Sequence, residues 1–356
     1  MLTLDASSDA GQDEVAAGRS TIESHPEART SRPYTAGKSP ALEIIHDSTR
    51  KAITAKPQSH RVIEMPVEIC RTTTRDGLFL DGVLAMPDAQ VLSALPVDVF
   101  LLVHGTGSNF YASGVLETFA GQSLSAGVAT LRVNTRGHDT ATFISGPGGS
   151  KRGGATYELI YECRHDLQAW LEYLTQRGFQ RIALVGHSMG GVKSIYSQAH
   201  DPHPGVQCVI GISPPRFCHA NFMSHPKGNF FREDFARAEQ LLAADRGDQL
   251  IDVRQPLPLT VTAVGYLAKY GPHDEYDLIR WLPKLICPML LIIEAESAAT
   301  SPAFNGLPET ISNLSKLHPH IALEIVEGAN TPYSSYPNLP FQLTERWLSK
   351  MADSGG

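Results

Sequence analysis

The chain has 356 residues, of which 42% are hydrophobic and 19% are charged, and its 37 acidic and 30 basic residues give a formal net charge of −7. This length and composition predict a globular protein whose core is large enough for one α/β domain with an insertion. The acidic balance and the lack of a basic cluster argue against a nucleic-acid partner.

The N-terminal residues, the apolar runs and the cysteine spacing bear on the cellular compartment that we predict. Residues 1–9 contain neither a basic segment nor an apolar one, so we predict no secretory signal peptide. The longest apolar runs, such as 100–103 and 289–293, are too short to cross a bilayer, which argues against a membrane partner. The five cysteines form no Cys-x-x-Cys pair, which argues against a disulfide framework or a zinc site and favours the cytoplasm.

The first part of the chain differs in composition from the rest. Residues 1–60 are rich in small and charged residues with little periodicity, which predicts a disordered or loosely attached extension. Two strand-like segments follow, 67–72 and 78–85, and the Asp76-Gly77 pair between them is typical of a hairpin.

Strands and helices then alternate along the chain. The predicted strands are 97–103, 128–133, 182–185, 206–212, 289–293 and 322–326, and the predicted helices include 116–126, 157–177 and 192–200. A hairpin followed by this alternation predicts an α/β fold with a mostly parallel central sheet and helices on both faces. The reactive edge of such a sheet lies at the carboxyl ends of its strands.

One segment, 215–285, interrupts the alternation. Helical spacing at 231–245 predicts a mainly helical cap over the active edge, inserted between core segments 61–214 and 286–356. Tyr266, Tyr270 and Tyr276 would line a substrate pocket under this cap. The alternative is that these aromatic side chains only attach the cap to the core.

The most informative motif is the run GHSMGG at 186–191, between a predicted strand and a predicted helix. A Gly-x-Ser-x-Gly run in that context predicts a sharp turn that lifts Ser188 clear of the sheet as a nucleophile. The glycines leave room for the turn and for the helix to pack on the strand. His187 precedes Ser188 in the strand, so its side chain is expected to point away from the pocket.

Three motifs and the position of the insertion together resemble the α/β-hydrolase fold superfamily, and serine esterases and lipases in particular, from about residue 66 to 350. The motifs are GHSMGG at 186–191, LVHGTGS at 102–108 and NTRGHD at 134–139. The resemblance implies acyl chemistry on a small-molecule substrate without a metal or cofactor. It also implies an oxyanion hole made by the backbone N–H groups of Met189 and of Thr106 or Gly105.

The superfamily pattern implies a catalytic acid after the seventh strand, about nine residues beyond the proline that opens it. Pro288 is that proline here, and the ninth residue beyond it is Ser297. Glu296 lies one residue earlier, and a loop can absorb a one-residue slip, so we predict Glu296 as the acid. Glu294 lies at the end of the strand itself.

The expected histidine after the eighth strand is missing. The turn at 326–332 resembles the one that ends in the catalytic histidine, but Thr331 stands at that position. No histidine follows His320, which precedes the strand and so lies at its far end. The remaining candidates for the base are His138, His104 and His273, of which we predict His138.

Three hypotheses for the function remain open. The first is a serine hydrolase of small esters, thioesters or lactones with a non-standard triad. The second is a lyase, cyclase or isomerase that keeps the oxyanion hole, and the third is a non-catalytic binding protein. The intact turn at Ser188 favours the two enzyme hypotheses. Ser297 and Thr331 at the positions of the acid and the histidine favour the second and third hypotheses. We retain the serine hydrolase. Self-association stays open.

Overall fold

The computed structural model describes residues 67–112 and 114–354, and the predicted extension at 1–60 lies outside them. In chain order the elements are β1 (Val67–Thr73), β2 (Phe79–Ala85), β3 (Val99–Val103), α1 (Val115–Ser125), β4 (Ala129–Val133), β5 (Thr142–Gly146), β6 (Gly149–Gly153), α2 (Cys163–Gln176), β7 (Ile182–His187), α3 (Met189–His200), β8 (Val206–Ile212), α4 (His219–Ser224), α5 (Asn229–Ala243), β9 (Leu250–Val253), β10 (Leu259–Thr262), α6 (Ala263–Tyr270), β11 (Met289–Glu294), α7 (Ala295–Thr300), α8 (Leu307–Leu317), β12 (Ile321–Val326) and α9 (Leu339–Ser354).

An eight-stranded sheet runs through this described part of the chain in the spatial order β1-β2-β4-β3-β7-β8-β11-β12. β2 pairs antiparallel with both β1 and β4, and the other neighbouring strands pair in parallel. The predicted α/β fold with a mostly parallel central sheet is therefore confirmed.

The central strands are buried on both faces. In β3, Val99, Leu101 and Val103 belong to one hydrophobic core, and Phe100 and Leu102 belong to the other. This alternation follows from the two-residue period of a strand. Helices α2 and α3 cover the first face, and α1 and α9 cover the second. Among the described helices, none has the length and apolar character needed to span a bilayer.

The segment between β8 and β11 contains helices α4, α5 and α6 and also the β9–β10 hairpin, which the sequence did not predict. Tyr266, Tyr270 and Tyr276 are buried there in one aromatic cluster with Phe217, Phe222, Phe231 and Phe235. None of the three tyrosines lines the pocket that contains Ser188. Their role is packing, because aromatic rings this large gain more from mutual burial than from exposure in a cavity.

Helix α3 begins in very close contact with the end of β3. A Cβ atom added to Gly190 would lie 2.1 Å from the carbonyl oxygen of Val103 and 2.7 Å from that of His104. A Cβ atom on Gly186 would lie 2.2 Å from the carbonyl carbon of Gly190. Only glycine fits at these two positions, so the first turn of α3 can lie directly against the strand.

Replacing Gly190 with alanine should push α3 away from β3 and lower the free energy of unfolding by about 3 kcal/mol. Urea denaturation followed by circular dichroism measures this change. The matched control is Gly121→Ala in the middle of α1, where an added Cβ would meet no atom within 4 Å. Alanine there should be neutral or stabilising by up to about 1 kcal/mol. Equal stability of Gly190→Ala and the wild type would contradict the close contact.

Candidate active site

Ser188 lies at the sharp turn between β7 and α3, with φ 53° and ψ −124°. A positive φ is uncommon for a residue with a side chain and is maintained only where the surrounding structure enforces it. Here the Ser188 N–H donates to the carbonyl oxygen of Ile212 at 2.8 Å, and the Ser188 carbonyl accepts from Gly191 N–H at 2.9 Å. The serine therefore lies at the N-terminus of α3, where the helix dipole favours negative charge.

The hydroxyl of Ser188 lines a pocket of about 280 Å³. Besides Ser188 and its neighbour His187, four other parts of the chain line it: the His-Gly loop around 104–109, the start of α1 around 114–116, Leu257 from the insertion and Pro332 from the turn after β12. No hydrogen bond joins Ser188 Oγ to another side chain within the described residues. The hydroxyl is therefore free to meet a molecule in the pocket.

The His-Gly loop passes directly beside Ser188. A Cβ atom added to Gly105 would lie 3.2 Å from Ser188 Cβ and 3.6 Å from its Oγ. Thr106 follows, and its N–H has no hydrogen-bond partner in the described part of the chain. The N–H of Met189 belongs to the first turn of α3 and has no acceptor within the helix. The structure thus brings these residues together, and their role as oxyanion donors stays a prediction.

His104 lines the pocket, but both of its ring nitrogens have partners. Nδ1 donates to the carbonyl oxygen of Gly105 at 2.8 Å, and Nε2 accepts from the N–H of Thr135 at 3.2 Å. Burial lowers the pKa of His104 to about 3, and the positive charge of Lys193 adds to the effect. This neutral imidazole is therefore a fixed part of the loop and has no free nitrogen to act as a base.

The other two predicted bases do not contact Ser188. The Nδ1 atom of His138 lies 2.9 Å from the Asp139 carboxylate, which also accepts a hydrogen bond from Asn109, so this pair fixes the ring beside the His-Gly loop. His273 is exposed on the insertion, and Asp274 beside it accepts from a backbone N–H instead. The Asp139 carboxylate engages only Nδ1 of His138 and leaves Nε2 without a partner among the described residues, so the role of His138 as base stays a prediction.

The carboxylate nearest the predicted triad position is Glu294 and not Glu296. Glu296 is exposed in the first turn of α7, whereas Glu294 is fully buried and accepts hydrogen bonds from Ser213 Oγ and from Thr331 Oγ1, the latter at 2.7 Å. The chain passes from β11 straight into α7. No loop is available to absorb a one-residue slip, so Glu296 turns outwards to solvent.

Thr331 lies in the turn after β12 and takes part in two side-chain hydrogen bonds. Its Oγ1 donates to Glu294 and lies 3.1 Å from Ser297 Oγ, which donates to it because the threonine proton is already used. Ser297 and Thr331, which stand at the positions where the superfamily pattern implies the acid and the histidine, thus contact each other. A hydroxyl cannot take up a proton near neutral pH, so neither Thr331 nor Ser297 can serve as a general base.

The sequence matches the alpha/beta hydrolase family over residues 100–337, which is more than half of the chain. The chain belongs to this family. No match was found among curated proteins.

Solved structures similar to this alpha/beta hydrolase have low sequence identity. The alpha/beta hydrolase GrgF from Penicillium sp. sh18 is 15% identical, with a TM-score of 0.57, over 81% of this chain and 99% of that one. A soluble variant of monoglyceride lipase from Saccharomyces cerevisiae, in complex with a substrate analog, is 16% identical, with a TM-score of 0.57, over 83% and 98%. Est1E from Butyrivibrio proteoclasticus with bound ferulic acid is 16% identical, with a TM-score of 0.54, over 79% and 98%. At such identities the likeness concerns the fold.

One pocket residue of this alpha/beta hydrolase was missed by sequence reasoning, namely His187. The residue lines the same pocket as Ser188, and its side-chain Nε2 lies 3.1 Å from the carbonyl oxygen of Thr331. A carbonyl only accepts, so Nε2 carries the proton and Nδ1 of the neutral ring has a lone pair without a partner in the described residues. Burial lowers the pKa of His187, against the opposing effects of the Thr331 hydrogen bond and the Glu294 charge.

Proposed function

We propose that this alpha/beta hydrolase cleaves small carboxylic esters, thioesters or lactones, with Ser188 as the nucleophile. The observation that carries this function is the strained turn that holds the unpartnered Ser188 hydroxyl against Gly105 in a pocket. A positive φ at a serine persists only where the fold enforces it, and such strain is concentrated at functional sites.

In the reaction, Ser188 Oγ attacks the carbonyl carbon of the substrate, and the hydroxyl proton passes to a base. The carbonyl oxygen becomes an oxyanion that accepts hydrogen bonds from the N–H groups of Thr106 and Met189, each contributing about 3 kcal/mol of transition-state stabilisation. The alcohol or thiol then leaves with the proton, and a water molecule hydrolyses the acyl-enzyme in the same way.

The base that we assign is Nδ1 of His187. Two histidines are among the residues that line the pocket, and both ring nitrogens of His104 are engaged, which leaves His187 as the one with a ring nitrogen that has no partner among the described residues. The proton on its Nε2 is bound by a backbone carbonyl and not by a carboxylate. A neutral partner stabilises the imidazolium less than a carboxylate does, so we expect slower hydrolysis than a complete triad gives.

The volume and the lining of the pocket indicate the size and polarity of the substrate. A volume of about 280 Å³ is small for a ligand site, and Val115, Leu116 and Leu257 give it apolar walls. Polar groups of Thr106, Ser108 and Asn109 come from a single side, the His-Gly loop. These features favour a short apolar acyl group whose carbonyl faces that loop.

Ser188 should react with a fluorophosphonate probe, because the phosphonyl group mimics the tetrahedral intermediate. Ser188→Ala should abolish labelling and reduce hydrolysis of p-nitrophenyl acetate to background, which mass spectrometry and absorbance measure. Turnover that survives Ser188→Ala would favour the lyase, cyclase or isomerase alternative. A wild type without labelling or turnover would favour the non-catalytic binding protein. Both alternatives are retained because Thr331 occupies the position at which the superfamily pattern implies the catalytic histidine.

His187→Gln should lower the rate of ester hydrolysis about a hundredfold, since glutamine cannot accept the serine proton. The neutral ring is the active form, and its pKa lies below the ordinary value because of burial. The wild-type rate should therefore fall with acid only below about pH 6.5. A large loss in His138→Gln together with full activity in His187→Gln would return the role of base to His138.

Thr331→His should raise the hydrolytic rate at least about tenfold, because the new imidazole would lie beside the buried Glu294 carboxylate. The gain should vanish when Glu294→Gln is added and should persist when the exposed Glu296→Gln is added. Steady-state kinetics of the single and double variants measures both effects. A gain that depends on Glu296 would contradict the assignment of Glu294 as the partner.

A further inference from the structure

A buried ion pair lies behind the His-Gly loop. Lys193 of α3 and Glu158 have side chains that are 1% and 4% exposed, and Nζ lies 2.7 Å from Oε2. Burial alone would raise the pKa of Glu158, but attraction by Lys193 and Lys269 holds it below the ordinary value. An ion pair in such a place costs desolvation energy that apolar side chains would avoid, so stability alone gives little reason for it.

Lys193 extends the ion pair into a chain of hydrogen bonds that ends at the His-Gly loop. Lys193 Nζ donates to Thr135 Oγ1 at 2.9 Å, and that oxygen lies 3.2 Å from His104 Nε2. His104 Nδ1 then donates to the carbonyl oxygen of Gly105 at 2.8 Å. An ammonium group can only donate and a carbonyl can only accept, so the direction of every bond in the chain is fixed.

The last bond acts on the peptide unit that carries the predicted oxyanion donor. The carbonyl of Gly105 and the N–H of Thr106 belong to the same planar peptide, in which the two groups point in opposite directions. Holding the carbonyl therefore sets the direction of the N–H. A hydrogen bond accepted by the carbonyl also polarises the N–H and makes it a stronger donor.

We propose that Lys193, acting through Thr135 and His104, is a positioning residue that fixes and polarises the Gly105–Thr106 peptide. We rest this on the proposed function, because the Thr106 N–H matters for catalysis only if Ser188 generates an oxyanion. Lys193 lies one turn beyond Ser188 on α3. A single helix thus fixes both the nucleophile and, through side chains, the opposing donor.

Thr135 is the residue at which the chain can be tested with little change in shape. Thr135→Val keeps the volume and the backbone N–H but removes the hydroxyl, and Thr135→Ser keeps the hydroxyl but loses a methyl group. A purely structural role predicts that the serine variant is affected at least as much as the valine variant. The positioning role predicts that the valine variant changes the Gly105–Thr106 peptide and the reaction rate more than the serine variant does.

The sequence allows the peptide to be observed alone. Gly105-Thr106 is the only Gly-Thr pair in the chain, and Ser188-Met189 is the only Ser-Met pair. Carbonyl-¹³C glycine with ¹⁵N threonine therefore gives a single Thr106 amide peak in a carbonyl-edited NMR spectrum. Carbonyl-¹³C serine with ¹⁵N methionine gives a single Met189 peak as an internal control.

Thr135→Val should move the Thr106 amide peak, leave the Met189 peak in place and slow fluorophosphonate labelling of Ser188 about tenfold to a hundredfold. Thr135→Ser should keep the wild-type Thr106 peak and a labelling rate within about threefold of the wild type. A Thr106 peak that stays in place in Thr135→Val, or that moves equally in both variants, would overturn the positioning role. So would equal movement of the Met189 and Thr106 peaks.

Failure of the proposed function and failure of the positioning role give different experimental results. A wild type that is not labelled would contradict the proposed function, and the Thr106 peak would still decide whether the chain orients the peptide. If Thr135→Val does not fold, the double variant Lys193→Met/Glu158→Gln removes the ammonium without leaving the buried carboxylate charged. It should move the Thr106 peak in the same way, and an unmoved peak would overturn the inference.

Discussion

The contact between helix α3 and strand β3 is the constraint on which the rest of the site depends. Gly190 leaves no room for a side chain against the carbonyl oxygen of Val103, and Gly186 leaves none against Gly190. This contact holds the first turn of α3 beside the end of β3, so the His-Gly loop that follows β3 has to pass Ser188. The positive φ of Ser188 is the local consequence, and tertiary packing opposes its relaxation.

Buried charges fix the loops that surround this contact. Arg136, in the turn after β4, donates through its backbone N–H and its guanidinium to Asp166, which is fully buried on α2. Lys193 and Glu158 form a second buried pair behind the His-Gly loop. Ion pairs of this kind contribute little net stability, but each demands one arrangement of its neighbours, because any other leaves a charge without a partner. They are suited to holding turns in register.

The positions at which the superfamily pattern implies an acid and a histidine lie in a network of hydroxyl and carboxylate groups. Glu294 accepts from Ser213 and Thr331, and Ser297 contacts Thr331 in turn. The polar groups of this cluster have partners, so the region is stable without an imidazole. The same turn also holds His187, whose Nε2 lies 3.1 Å from the backbone carbonyl oxygen of Thr331.

The sequence by itself determined the strands of the central sheet, the order of the core elements and the turn at Ser188, because periodicity and glycine spacing act over neighbouring residues. Only the tertiary structure decided which carboxylate and which imidazole contact Thr331. Glu294 meets Thr331 across 37 residues, because β11 and β12 pair with Glu294 opposite Val326. His187 meets Thr331 across 144 residues. Contacts at such separations depend on strand register and on where each strand ends. Strand β11 ends at Glu294, so Glu296 falls in α7 and is exposed to solvent.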